Sequence, residues 1–263
     1  MGVATCASKP AVEYVIVLFD RETSRIAAFV DGARVTAYRT AATSAAAVDR
    51  MTGAGPFSLA VLGSGLEASM HTRALAAIRP LSEIRVFSPN PSRRQQFAET
   101  LQQELAVPAR AVDTPQAAAT DAGIVLAAAR SHGEQPILFG DWLKPGALVV
   151  SIGSTVPQQR EIDVSVIARA TVIVCDRLEE VLMETGDMIA AAQAGLDVEP
   201  VCSSLNSLMA GEVLRPGSAF GIRLYKSVGS GLQDVVVADL LLTKARKAGL
   251  GTELPIQFES KSI

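Results

Sequence analysis

Short, continuously apolar runs alternate with longer polar or Ala-rich stretches along most of this chain. Val15–Phe19 and Ile26–Val30 flank the polar stretch Asp20–Arg25, a pattern that predicts an antiparallel hairpin with a longer loop, closed by Asp31-Gly32. Val35–Thr40 leads into Ala41–Met51, whose alanine content predicts a helix. That reading puts Arg39-Thr40 at a helix start, where Thr40 caps and Arg39 points at an anion; the alternative is a solvated surface arginine. The breaker-rich Thr52–Pro56 then separates this region from Leu59–Leu62, which has the length and branching of a buried parallel strand.

Five more strand-like stretches follow: Glu83–Phe87, Ala109–Asp113, Ala122–Ala128, Ala147–Ile152 and Thr171–Cys175. Helices are predicted over Gln95–Leu105, from Thr114, and from Glu161-Ile-Asp163, with a turn at Trp142–Gly146. The alternation from Phe57 to Asp176 is that of a doubly wound α/β sheet. Beyond Glu179 the pattern predicts a helical stretch to Gly195, a helix Leu205–Leu214 that includes Gly211-Glu212, and a strand Phe220–Tyr225. A Gly-rich turn Lys226–Gly231 and a long helix Gln233–Lys247 complete the chain.

Between the first buried strand and its helix lies Gly63-Ser64-Gly65-Leu66-Glu67-Ala68, a G-x-G-x-x-A turn. In a dinucleotide site Gly63 permits the tight turn and Gly65 lets the backbone approach a pyrophosphate. Small Ala68 lets the helix pack close to the strand, and the helix start presents N–H groups to the phosphates. The strand Glu83–Phe87 arrives about 20 residues later, as this fingerprint requires. It ends without the acid that accepts from an NAD ribose; Ser88, Ser92, Arg93 and Arg94 follow instead, which favours NADP(H) and leaves NAD(H) open. The plainer alternative is two arginines that start a solvated helix. Ala129-Arg-Ser131 follows a further strand at its C-terminal end, where open α/β sheets place ligands.

Composition narrows the function classes. Of 263 residues, 49% are apolar and only 5% aromatic, so Ala, Val and Leu must fill the core. A net charge of −3 gives no case for nucleic acid or an anionic membrane. Cys6, Cys175 and Cys202 are too widely spaced for a disulfide framework or metal site, and His71 and His132 are the only histidines, so no metal is expected. With neither a signal-peptide start nor an apolar run of membrane-spanning length, a cytoplasmic location is expected.

Arg39-Thr-Ala-Ala-Thr-Ser-Ala, the Gly63–Ala68 turn with His71, Trp142-Leu-Lys-Pro-Gly146 and Lys226-Ser-Val-Gly229 with Asp234 occur in an order and spacing that resemble the ornithine cyclodeaminase/mu-crystallin family. The resemblance runs from about Val15 to the last helix. It implies a discontinuous architecture: residues 1–54 with 220–263 as a smaller α+β substrate-binding and dimerising domain, and 55–219 as a Rossmann domain. It further implies that Arg39 grips a substrate carboxylate, Thr40 lies near the cofactor phosphates, Ser131 lines the cofactor ribose, and Val228 and Gly229 lie against the nicotinamide. A homodimer is implied in the same way.

Two departures stand out. The aspartate that serves the cyclodeaminases as acid/base is matched here by Thr155, and a threonine takes up no proton near neutral pH. Set against the resemblance, the sequence is also expected to begin in the middle of the small domain, as a fragment, through a misassigned start, or with part of the substrate pocket lost, and an incomplete small sheet would expose an unpaired edge. The expected function is thus an NAD(P)-dependent oxidoreductase that reduces a cyclic imine such as a pyrroline carboxylate, or oxidises a related amino acid. The alternatives are an ornithine cyclodeaminase and a cofactor-binding protein without turnover.

Overall fold

The structure, a computed structural model, describes residues 13–129, 135–213, 221–256 and 258. Ser131, Cys6, His132 and Phe220 therefore lie outside the described residues. The chain divides into two compact units, one drawn from Met1–Thr36 with Gly231–Ile263 and the other from Ala37–Ser230.

In the smaller unit, β1 (Val15–Phe19) and β2 (Ile26–Asp31) form the antiparallel hairpin, with Val15 opposite Asp31 and Leu18 opposite Ala28. Buried Leu18, Val35 and Ala238 form its small core, the last from the closing helix α9 (Gly231–Lys247).

The larger unit is built on an eight-stranded, all-parallel sheet. Its strands are β3 (Phe57–Leu62), β4 (Leu81–Phe87), β5 (Ala109–Ala111), β6 (Ile124–Ala127), β7 (Leu148–Ser151), β8 (Ala170–Cys175), β9 (Cys202–Ser204) and β10 (Ile222–Lys226). In space they run β5-β4-β3-β6-β7-β10-β8-β9. Order reverses between β3 and β6, which opens a crevice at their C-terminal ends, the place where doubly wound sheets bind ligands. Both faces are covered, as the apolar runs require. Leu59, Val61, Ile124, Leu126, Leu148 and Val150 pack on one side, and Ala60, Leu62, Val125, Ala127, Val149 and Leu224 on the other.

Three helices shape the crevice: α1 (Gly32–Met51), α2 (Leu66–Ile78) and α3 (Pro91–Leu105). The short α4 (Pro115–Ala119) and α5 (Val164–Ala168) are capped by Thr114 and Asp163, while α6 (Leu178–Glu184), α7 (Gly186–Gln193) and α8 (Leu205–Ala210) follow β8 and β9.

Four expectations are corrected. Helix α1 starts nine residues before Ala41, because Asp31 Oδ1 accepts from Ala33 N (3.0 Å) and caps it there; Arg39 and Thr40 sit within the helix, and Thr40 is no cap. Gly211, at φ +80°, ends α8 instead of continuing it. Asp163 rather than Glu161 opens α5, and Glu161 is fully buried ahead of it. Finally, β10 belongs to the large sheet between β7 and β8, and residues 37–54 belong to the same unit. The breaks read after Ala54 and before Phe220 thus differ from those of the structure, because a strand's parallel partners leave no local mark in the sequence.

Candidate functional site

The turn after β3 has the geometry its glycines predict. Gly63 has φ +132°, and a β-carbon there would lie 2.6 Å from the Ala128 carbonyl oxygen, so the β3 and β6 ends approach too closely for any side chain. Gly63 N donates to Phe87 O (2.8 Å), tying the turn to the end of β4. Gly65 differs: a β-carbon there would meet nothing within 4 Å. It is the residue before α2, so open space and the first N–H groups of a helix coincide, which fits a pyrophosphate. Leu66 is exposed, Glu67 is half-exposed in the first turn of α2, and Ala68 is fully buried against the sheet.

At the end of β4, Ser88 is buried and accepts from Ser64 Oγ (3.0 Å), so the Gly turn and the end of β4 are linked. Arg93 is exposed at the start of α3, where Asn90 caps the helix through Arg93 N (2.9 Å). Arg94 is engaged: its guanidinium donates to Ser88 O (3.1 Å) and Asp113 Oδ1 (2.5 Å) and lies over the Phe87 ring. Of the two arginines, only Arg93 stands in solvent.

On α1, Arg39 is only 9% exposed and Thr40 is half-buried. Arg39 comes against the loop after β10, because a β-carbon at Gly229 would lie 2.1 Å from Arg39 Nη1. Gly229 has φ +81°, the left-handed region that favours glycine. The loop is fixed by Asp176, whose carboxylate accepts from Ser227 Oγ (2.7 Å), Val228 N (3.0 Å) and Gly229 N (2.7 Å). Thr155 is half-buried in the loop after β7.

Beneath these loops lies a buried charged cluster that the sequence reading missed. Lys226, expected at the start of the Gly-rich turn, instead ends β10 and is fully buried. Its ammonium pairs with Asp187 Oδ2 (2.9 Å) and donates to Ser151 Oγ (3.0 Å) and Ser154 O (2.8 Å). Asp187 Oδ1 accepts from Glu161 N (2.8 Å) and Ile162 N (3.2 Å). The fully buried Glu161 accepts from Ala129 N, Ser151 Oγ and Gly153 N, each at 2.9 Å. Loops after β6 and β7 are thereby pinned to the end of β10. A signal was present: a lysine at the end of the strand-like stretch Ile222–Tyr225 needs an acid if that strand is buried.

Burial pushes the Glu161 pKa up from 4.5 to about 7, with Lys226 opposing and Asp187 adding to the rise. His71, on α2, is shifted the other way. Burial lowers its pKa from 6.5 to about 4, opposed by the Glu67 carbonyl and helped by Arg39. A carbonyl only accepts, so His71 Nδ1 carries the proton towards Glu67 O (2.8 Å) and Nε2 accepts from Ser44 Oγ (3.1 Å).

A depressed histidine pKa contributes stability that is complete above pH 6.5 and lost as pH falls through about 4. Glu161 contributes stability that is complete below pH 4.5 and lost as pH rises through about 7. His71→Gln is therefore expected to flatten the acid side, removing a loss of about 3 kcal/mol between the two His71 values. Urea unfolding at a series of pH values checks this; an unchanged acid limb refutes it.

Strand–turn–helix geometry around Gly63, the topological switch and the loops gathered at the strand ends define a Rossmann-type dinucleotide-binding domain. The family model for the ornithine cyclodeaminase/mu-crystallin family matches residues 4–249, and the chain belongs to that family. A putative dehydrogenase of Rhizobium meliloti is 33% identical over 247 residues, covering 92% of this chain and 73% of the relative. Ketimine reductase mu-crystallin of Mus musculus is 30% identical over 232 residues, 88% of this chain and 69% of that one. Among solved structures, Thermococcus litoralis Delta(1)-pyrroline-2-carboxylate reductase in complex with NADH and L-proline superposes with a TM-score of 0.86 at 28% identity. That match covers 91% of this chain and 74% of the other.

Proposed function

We propose that the chain is a nicotinamide-dependent imine reductase that takes cyclic α-imino acids of the 1-pyrroline-2-carboxylate type. The observation that carries this reading is Arg39, a mostly buried guanidinium packed on the loop after β10 at the C-terminal edge of the sheet. A guanidinium fits a carboxylate in two parallel hydrogen bonds and so fixes the substrate's orientation as well as its position. The Thermococcus litoralis reductase, which binds NADH and L-proline, supports the same substrate class.

The bound dinucleotide supplies the hydride. The protein's part is orientation: Gly63 and Gly65 with the start of α2 would receive the pyrophosphate, and Thr40 would lie near the phosphates. Val228 and Gly229 would form the wall beside the ring. A substrate that enters as the protonated iminium needs only the hydride at carbon to become the amino acid, so no residue has to take up a proton during the step. Thr155, which holds no titratable group, is compatible with that and not with deamination.

NADP(H) is the preferred cofactor in this reading, NAD(H) being accepted more weakly. The end of β4 carries no acid of its own and offers the Ser88 hydroxyl and the exposed Arg93 to a 2′-phosphate, while the nearby Asp113 carboxylate is paired with Arg94. Two copies of the chain pair through the smaller unit, which exposes Val15, Phe19, Val236 and Leu240.

The test is a calorimetric titration with NADPH and NADH, followed by reduction of 1-pyrroline-2-carboxylate monitored by loss of reduced-cofactor absorbance. Tighter NADPH binding is expected, and Arg93→Ala lowers NADPH affinity by about tenfold while sparing NADH. Arg39→Lys raises the substrate KM by about 100-fold with cofactor binding retained. Tighter NADH binding refutes the NADP preference; an unchanged KM in Arg39→Lys refutes the carboxylate clamp.

A further inference from the structure

Parallel strands β8 and β10 are paired so that Cys175 lies opposite Lys226, and both chains leave the sheet at the same level. The residue that leaves β8 is Asp176; those that leave β10 are Ser227, Val228 and Gly229. All four donors around the Asp176 carboxylate belong to these two exits. Oδ1 accepts from Val228 N (3.0 Å) and Arg177 N (2.9 Å), and Oδ2 accepts from Ser227 Oγ (2.7 Å) and Gly229 N (2.7 Å). Two of the donors are consecutive backbone N–H groups of the loop, so the carboxylate fixes the loop's path and not only a side chain. The loop then takes its left-handed step at Gly229, and the bare Cα face of that residue is what the Arg39 guanidinium packs on.

We infer that Asp176 is a positioning residue for Arg39: its carboxylate holds the Ser227–Gly229 loop at the height that fixes where the guanidinium stands. The chemistry demands a carboxylate. Both oxygens accept two hydrogen bonds each, and an amide in its place would aim an N–H2 at Val228 N and Arg177 N, or at Ser227 Oγ and Gly229 N. Losing that anchor lets the loop rise towards Arg39 or fall away from it, and a displacement of about 1 Å in a substrate-orienting group costs on the order of 100-fold in rate. A merely structural role, tying β8 to β10, would lower stability without touching Arg39.

The inference rests on the carboxylate reading of Arg39 only for its kinetic consequence, so the decisive test needs no substrate. In the NADPH complex the guanidinium Nε–H resonance of Arg39, identified by its loss in Arg39→Lys, is compared between the wild type and Asp176→Asn by nitrogen-15 NMR. It is expected to shift and broaden in the variant. In parallel, the KM for 1-pyrroline-2-carboxylate, measured at saturating NADPH, rises by about tenfold. In the Arg39→Lys background the same substitution adds less than about twofold.

An unchanged Arg39 resonance in folded Asp176→Asn overturns the inference, as does a full tenfold effect in the Arg39→Lys background. If Arg39→Lys itself leaves KM unchanged, the carboxylate reading fails while the resonance still decides the positioning role. Should Asp176→Asn not fold, Ser227→Ala decides: it removes one of the four donors and shifts the resonance the same way by less. No shift there also overturns the inference.

Discussion

Gly63→Ala is expected to reduce affinity for NADPH by roughly 100-fold or more, the product of strain at a φ few side chains adopt and a clash with fixed backbone. The β-carbon would lie 2.6 Å from the Ala128 carbonyl oxygen and 3.0 Å from its carbon, and a carbonyl at the end of a buried strand cannot swing aside. Relief must come from parting the ends of β3 and β6, which also pulls on the Gly63 N to Phe87 O hydrogen bond. Gly65→Ala provides the contrast. Its β-carbon meets no protein atom within 4 Å, so the variant should melt at the wild-type temperature and, if the proposed pyrophosphate position holds, still bind NADPH more weakly. Calorimetric titration and thermal melting of both variants check the pair. Wild-type affinity in Gly63→Ala would remove the turn from the site, and wild-type affinity in Gly65→Ala would place the pyrophosphate elsewhere.

That turn was legible in the sequence because each of its requirements is local: an apolar run, two glycines at fixed spacing, a small residue, a helix. The buried strands were legible for the same reason, since a strand covered on both faces is mostly apolar, as Ile124–Ala127 and Leu148–Val150 are. The start of α1 was misread because alanine propensity marks where a helix is comfortable and not where it begins. The Asp31 cap and the burial of Val35 and Ala37 carry it further back. Arg39 is consequently presented from within a helix, on a rigid element, and not from a loop. The placement of β10 between β7 and β8 had no local mark, and β9, three residues long, was too short to register. Gly211 was a readable stop signal that was read through. The least legible part was the charged cluster. Its members, Glu161, Asp187 and Lys226, are scattered along the chain, and only the folded sheet brings them together.

That cluster supports the second large effect. Lys226→Met should destabilise the protein by about 3–5 kcal/mol, because removing one partner of a buried ion pair leaves the other charge without compensation. The ammonium is fully buried with an acceptor for each of its three protons, Asp187, Ser151 and Ser154. Without it, two carboxylates share one apolar site, and Glu161, already raised to about pH 7 by burial, is pushed further towards its protonated form. The variant should therefore regain stability as the pH is lowered, the sign expected of carboxylates that fold more readily when neutral. Adding Asp187→Asn to Lys226→Met is expected to recover about half of the loss, since the amide oxygen still accepts from Glu161 N and Ile162 N while the orphaned charge is gone. Urea unfolding of the single and double variants at neutral and mildly acidic pH measures all three effects. A double variant no more stable than the single one would mean that the ammonium's hydrogen bonds to Ser151 and Ser154, and not its charge, hold the strand ends together.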